Sequence, residues 1–148
     1  MDCVNVLEIA KKILAKTDIE VGDTISNLKL QKLLYYMQGY HLAFFDTPLF
    51  CDEIVAWQYG PVVPEVYDFY ENYGRGALPI PENKSDVITL REEQEKLFDS
   101  VYKEYNQFSA TALVEMTHNE RPWATTPLKE IISKDKLKTF FKTMIEED

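Results

Sequence analysis

The chain has few of the residues that usually announce a chemistry: two cysteines, two histidines and five glycines in 148 residues. A zinc site takes three or four ligands in a defined geometry, which His41, His118, Cys3 and Cys51 are too few and too scattered to supply. There is no Gly-x-Ser-x-Gly elbow, no phosphate-binding glycine loop and no dinucleotide fingerprint. The expectation is therefore no metal, no cofactor and no catalytic residues, so not an enzyme. With no pair spacing, Cys3 and Cys51 read as small buried apolar groups in a reducing compartment. No apolar run approaches the roughly 18 residues of a membrane helix. Asp2 and Glu8, with no basic cluster before them, do not make a signal peptide, and a cytoplasmic protein is expected. Basic residues are also scarce, 16 against 25 acidic, for a net charge of −9. That argues against a nucleic-acid backbone as partner and suits a basic protein surface. The bias is strongest early, with eleven acids to five bases in residues 1–74 and fourteen to eleven in 75–148.

What the chain does have is apolar and aromatic mass, 45% and 13% of its residues. That suffices for one domain over residues 1–148, and the periodicity predicts a mainly α architecture: a compact multi-helix domain around a central apolar helix, with a minor short antiparallel β element. Asp2 can cap a first helix reaching Lys16. Ser26 caps a second that runs to Phe45, with Leu30, Leu33, Leu34, Met37, Tyr40 and His41 as one broad stripe widened by Leu28, Tyr35, Leu42 and Phe44. Residues 50–57 read as a strand, Gly60-Pro61 as a turn, and Pro64 as the first turn of a helix over 63–73. Residues 74–85 are a loop. Thr89 to Glu92 has the form of a capping box for a helix over 90–105. Ser109 caps a short helix, Glu130-Ile131-Ile132 can pair with the strand near Ile54, and a last helix spans 134–145.

Two stretches offer contact groups. In Trp57-Gln-Tyr-Gly-Pro61 the Tyr59 hydroxyl and the Gly60-Pro61 turn are candidates for touching a partner, with Glu65 just beyond. In Thr117-His-Asn-Glu-Arg-Pro-Trp123 the candidates are His118 and Glu120. Trp57, Trp123, Leu33, Leu34 and Tyr36 are expected to be structural supports. The bland reading of both stretches, that they shape a helix entry and anchor a loop, stands beside the functional one.

Three blocks in this order carry a resemblance: Leu28-Lys-Leu-Gln-Lys-Leu-Leu-Tyr-Tyr36, Ala56-Trp-Gln-Tyr-Gly-Pro-Val-Val-Pro-Glu-Val-Tyr67 and Thr117-His-Asn-Glu-Arg-Pro-Trp123. Over residues 5–145 the chain resembles the Panacea domain, also called the SocA-like antitoxin domain, which is related to phage-associated GepA proteins. The resemblance implies a mainly helical interaction protein. It would neutralise a cognate protein toxin by direct non-covalent contact, the toxin acting for instance on translation. It also implies a second possibility, that of a proteolytic adaptor presenting a bound toxin to a bacterial protease. It brings no catalytic residues and, in a chain of this length, no DNA-binding segment. A third class, a small-ligand or enzymatic site at the His118–Trp123 corner, remains open. The chain departs from the family's pattern after Trp123, where Ala124-Thr125-Thr126-Pro127 stands in place of a helix-like continuation.

Overall fold

The computed structural model describes residues 3–145. In order, these form α1 (Val6–Ala15), α2 (Asn27–Phe45), β1 (Ile54–Trp57), β2 (Gly60–Val62), α3 (Pro64–Phe69), α4 (Glu92–Tyr105), α5 (Ala110–His118), α6 (Arg121–Ala124), β3 (Ile131–Ile132) and α7 (Lys134–Ile145). The fold is mainly α with a minor antiparallel sheet, as the periodicity predicts.

Helix α2 is the centre. Ser26 Oγ accepts the Lys29 N–H, and the helix runs about 28 Å before Asp46, in the left-handed region at φ 61°, ends it. Every residue from Lys29 to Gly39 is buried. A helix covered on all sides shows no single apolar stripe, and α1, α3, α4, α5, α7 and β2 share the covering. The approach of α7 is closest at Gly39, where a methyl group would overlap the Phe141 ring. The stripe does not extend to its last expected member, because Phe44 is exposed.

The sheet has the order β2-β1-β3, both pairs antiparallel, with Trp57 opposite Gly60 and Ile54 opposite Ile132. Gly60-Pro61 is not the turn. The chain reverses at Gln58-Tyr59, and Gly60 re-enters the ladder at φ 107°, a conformation open to glycine and closed to most side chains. The predicted strand over 50–57 is shorter, beginning at Ile54. The helix expected over 63–73 stops at Phe69 and continues as a 3-10 turn over Glu71–Tyr73. In α4 the Thr89–Glu92 box is unused: the helix starts at Glu92, and Gln94 accepts the Arg91 N–H instead.

The cysteines correct a further expectation. Cys3 and Cys51 are both exposed and are bonded to each other across a separation of 48 residues. The Val4 N–H donates to the Leu49 carbonyl, which lays the two segments side by side with the cysteine Cα atoms 5.6 Å apart. Asn5 caps α1, and Asp2 lies outside the described residues. No helix among the described residues is long and apolar enough to cross a membrane.

Candidate functional site

One flank of α2 carries polar side chains into the interior in two adjoining rows of four-residue spacing, Asn27, Gln31 and Tyr35 in one and Lys32 and Tyr36 in the other. Asn27 Nδ2 donates to the Tyr67 carbonyl at 3.1 Å, and Asn27 Oδ1 accepts from Gln31 Nε2 at 2.9 Å. Gln31 Oε1 accepts the Val63 N–H at 2.9 Å, and Lys32 Nζ donates to the Pro61 carbonyl at 3.0 Å. One turn further, the Tyr35 and Tyr36 hydroxyls each donate to one oxygen of Glu120, both at 2.9 Å. Each bond satisfies a group that would cost about 1–3 kcal/mol if left unpaired inside. Together they tie α2 to the β1–β2 hairpin, to α3 and to the loop after α5.

Hairpin and loop also grip each other. A Cβ on Gly60 would lie 2.7 Å from Lys32 Cε and 2.8 Å from Thr117 Oγ1, so only glycine fits between them. Trp123 Nε1 donates to the Trp57 carbonyl at 2.8 Å, and His118 stacks on the Trp123 indole with centroids 4.0 Å apart. The two candidate stretches are therefore neighbours in space. The short helix α6 places Pro122 in its first turn and sets Trp123 against the hairpin.

Burial sets the electrostatics of this network. It raises the Glu120 carboxyl to about 7, against the opposing pull of its two tyrosine hydrogen bonds. It lowers the Lys32 ammonium to about 7. Tyr35 and Tyr36 are pushed well up, by burial first and by Glu120 second. At the surface, Glu65 is raised by a hydrogen bond with Asp52 and by its charge. His41, away from this site, contacts the Thr47 carbonyl through Nδ1 and the Gln94 amide through Nε2, and burial lowers its pKa.

The candidate contact residues divide by exposure. Tyr59 stands at the hairpin tip, 60% exposed, and Glu65 is exposed on α3. Gly60 and Pro61 are buried beneath Tyr59, His118 is half-buried with Nε2 lacking a partner among the described residues, and Glu120 faces the two tyrosines. Among the expected supports, Leu33, Leu34 and Tyr36 are fully buried, while Trp57 and Trp123 are half-buried.

Beside Tyr59 lies a groove of about 1080 Å³, walled by Leu28, Trp57, Tyr59, Tyr67, Val114 and Leu128. The Trp57 and Tyr67 rings meet edge to face at 5.0 Å, and Leu128 is more than half exposed. Glu65, His118 and Glu120 do not line it. Tyr67 and Leu28 sit within the sequence blocks above, and either could have been singled out there. Leu128, in a segment with no periodic pattern, had no such signal. Among the described residues, no group of three or more His, Cys, Asp or Glu could hold a metal ion.

Comparison with known proteins matches residues 30–124, more than half of the chain, to the antitoxin SocA-like, Panacea domain. The chain belongs to this family. The matched stretch of the Panacea domain starts in α2 and ends with α6, so it contains the hairpin, the groove's aromatic wall and every rung of the polar ladder except Asn27. Antitoxin SocA of Caulobacter vibrioides (strain NA1000 / CB15N) is 38% identical over 65 residues, 44% of this chain and 35% of that protein. The alignment thus spans about a third of that relative's length. No solved structure matches the chain.

Proposed function

We propose that this Panacea domain neutralises a protein toxin by binding it directly and non-covalently, with the Tyr59 groove as contact surface. The observation that carries the reading is the pairing of that groove with the ladder beneath it. Exposed Tyr59 and Leu128, with half-buried Trp57 and Tyr67, offer the aromatic and aliphatic anchors that dominate protein interfaces. The buried bonds from Asn27, Gln31 and Lys32 fix the backbone that presents them, which lowers the ordering cost of association. Non-enzymatic action is supported by the two buried groups beside the groove that burial brings to a pKa of about 7, since Glu120 and Lys32 are engaged in internal bonds and neither lines it. The net charge of −9 favours fast encounter with a partner whose overall surface is basic, as in a toxin acting on translation. The test is co-expression with the product of the neighbouring gene. Growth should be restored and a complex recovered by gel filtration. A product that is harmless alone, or still toxic beside this chain, contradicts the proposal.

A second reading, delivery of the bound toxin to a bacterial protease, needs a second surface. One observation favours it: a groove of about 650 Å³ between the end of α2, α4 and α7, lined by Phe44, Leu97 and Met144. It lies about 18 Å along α2 from the first, taking Leu28 and Tyr40 as markers. Delivery predicts that the toxin disappears faster when the chain is present; a toxin half-life unchanged by the chain rules it out.

A further inference from the structure

The groove beside Tyr59 has a local charge unlike that of the chain. Its lining holds two cations, Arg75 and Lys129, against one acid, Glu71. All three are exposed, and none forms an ion pair among the described residues. Several cations elsewhere are held by acids, among them Lys12 by Glu95, Lys16 by Asp99, Lys134 by Glu53, and both Lys138 and Lys142 by Asp46. The exposed acids Glu65 and Asp68 of α3 are not part of the lining, and Glu65 is turned on Asp52.

Lys129 is also held in place. Its backbone is left-handed at φ 72°, its N–H donates to the Ala56 carbonyl at 2.6 Å, and the Ala56 N–H donates to the Glu130 carbonyl at 3.0 Å. The lysine is therefore fixed to the central strand, next to Leu128 and on the same sheet as Trp57. Arg75 follows Gly74, whose N–H donates to the Glu71 carbonyl. The same groove is lined by the rings of Trp57, Tyr59 and Tyr67. The groove's volume of about 1080 Å³ lies at or beyond the upper end of small-molecule pockets, about 1,000 Å³, and suits a stretch of polypeptide better than a metabolite.

We infer that the groove receives a segment of the toxin in which an aromatic or aliphatic anchor is flanked by carboxylates, the anchor between Trp57, Tyr67 and Leu128 and the carboxylates on Arg75 and Lys129. This rests on the neutralisation reading and adds the chemistry of the docked segment. The chain's negative charge attracts a basic toxin from a distance, while the groove selects an acidic, apolar stretch at contact.

The probe is a phage-displayed library of random twelve-residue peptides, selected on the full chain and on the double variant Arg75→Glu/Lys129→Glu. Peptides enriched on the full chain should carry Asp or Glu within a few residues of Trp, Phe or Leu. A synthetic copy of one should bind the double variant about tenfold more weakly, because loss of complementary charge costs on the order of 1.4 kcal/mol per factor of ten. Enrichment of basic peptides, equal affinity for the double variant, or no enrichment over a chain-free control overturns the inference. The same double variant is then co-expressed with the neighbouring gene's product. Rescue by the wild-type chain but not by the double variant supports the inference. Equal rescue by both overturns it and leaves neutralisation standing, whereas failure of the wild-type chain to rescue overturns neutralisation itself.

Discussion

The two flanks of α2 are buried by opposite means. Toward α4 and α7 most contacts are rings: Phe141 meets Tyr35, Tyr36 and Tyr40 edge-on and Tyr36 stacks on Tyr105 at 3.8 Å, with the Tyr40–Tyr105 hydroxyl pair and the His41–Gln94 bond as polar additions. Toward the hairpin and the loop after α5 they are hydrogen bonds from two amides, an ammonium and two phenols. Ring packing supplies most of the cohesive energy and tolerates exchange of one apolar group for another of similar volume. Buried polar bonds add less net energy but accept one geometry, since each misplaced partner leaves a desolvated group unsatisfied. The flank that holds the proposed binding surface is the one built for position.

The comparison can be broken from the ring side first. Phe141→Ala removes the ring that fills the space at Gly39 and should destabilise by about 3–5 kcal/mol in urea unfolding. A loss below 1 kcal/mol would mean that α7 is not part of the core. Second in size is Glu120→Ala, which strands two buried hydroxyls and should cost about 2–3 kcal/mol. Its gentler relative Glu120→Gln tests the charge. A carboxyl raised to about 7 in the folded state favours folding fully below its unfolded value near 4.5, and that contribution is lost as pH rises through 7. The melting temperature of the wild type relative to Glu120→Gln should therefore fall between pH 4.5 and 7, and a flat difference contradicts the buried carboxyl.

Lys32 costs less to replace at pH 7, and its pH dependence has the opposite sign. Its folded value of about 7 lies below the unfolded 10.5, so its contribution is present above 10.5 and lost as pH falls through 7. Lys32→Met replaces a buried ammonium with a chain of similar length. It should stay within about 1 kcal/mol of wild type at pH 7 and abolish the gain in stability between pH 7 and 10. Smallest of all in stability is Tyr59→Ala, at a 60% exposed position, which should fall within about 0.5 kcal/mol of wild type in the same urea titration.

Much of the ring-packed flank was legible in the sequence. Leu30, Leu33, Leu34 and Met37 recur at helical spacing, Ser26 and Ser109 mark helix starts, and Ile54 and Ile132 stand in the two short β-prone stretches expected to pair. The polar flank was not. Gln31 and Lys32 look like surface residues of any amphipathic helix, because their partners are backbone groups of Val63 and Pro61, which leave no mark in the residue pattern. Glu120 was picked out as a contact group because of its neighbours, yet its two oxygens belong to Tyr35 and Tyr36, some 85 residues away in the chain. The groove was half visible: Trp57 and Tyr59 stand in a recognisable block, but Arg75, Leu128 and Lys129 come from irregular segments joined to it only by tertiary structure. The cysteine pairing was hidden by its 48-residue separation.

On the proposed function, the partner is bound where the polar flank places the groove, at one end of α2 and not the other. That placement is tested most directly by two folded double variants in the co-expression growth assay. Tyr59→Ala/Leu128→Ser strips the first groove, and Phe44→Ser/Met144→Ser strips the second, all four positions being exposed. Both proteins should keep wild-type circular dichroism. The account predicts that the first variant no longer restores growth and no longer co-elutes with the toxin, while the second does both. Retained rescue by the first variant together with loss in the second would contradict it.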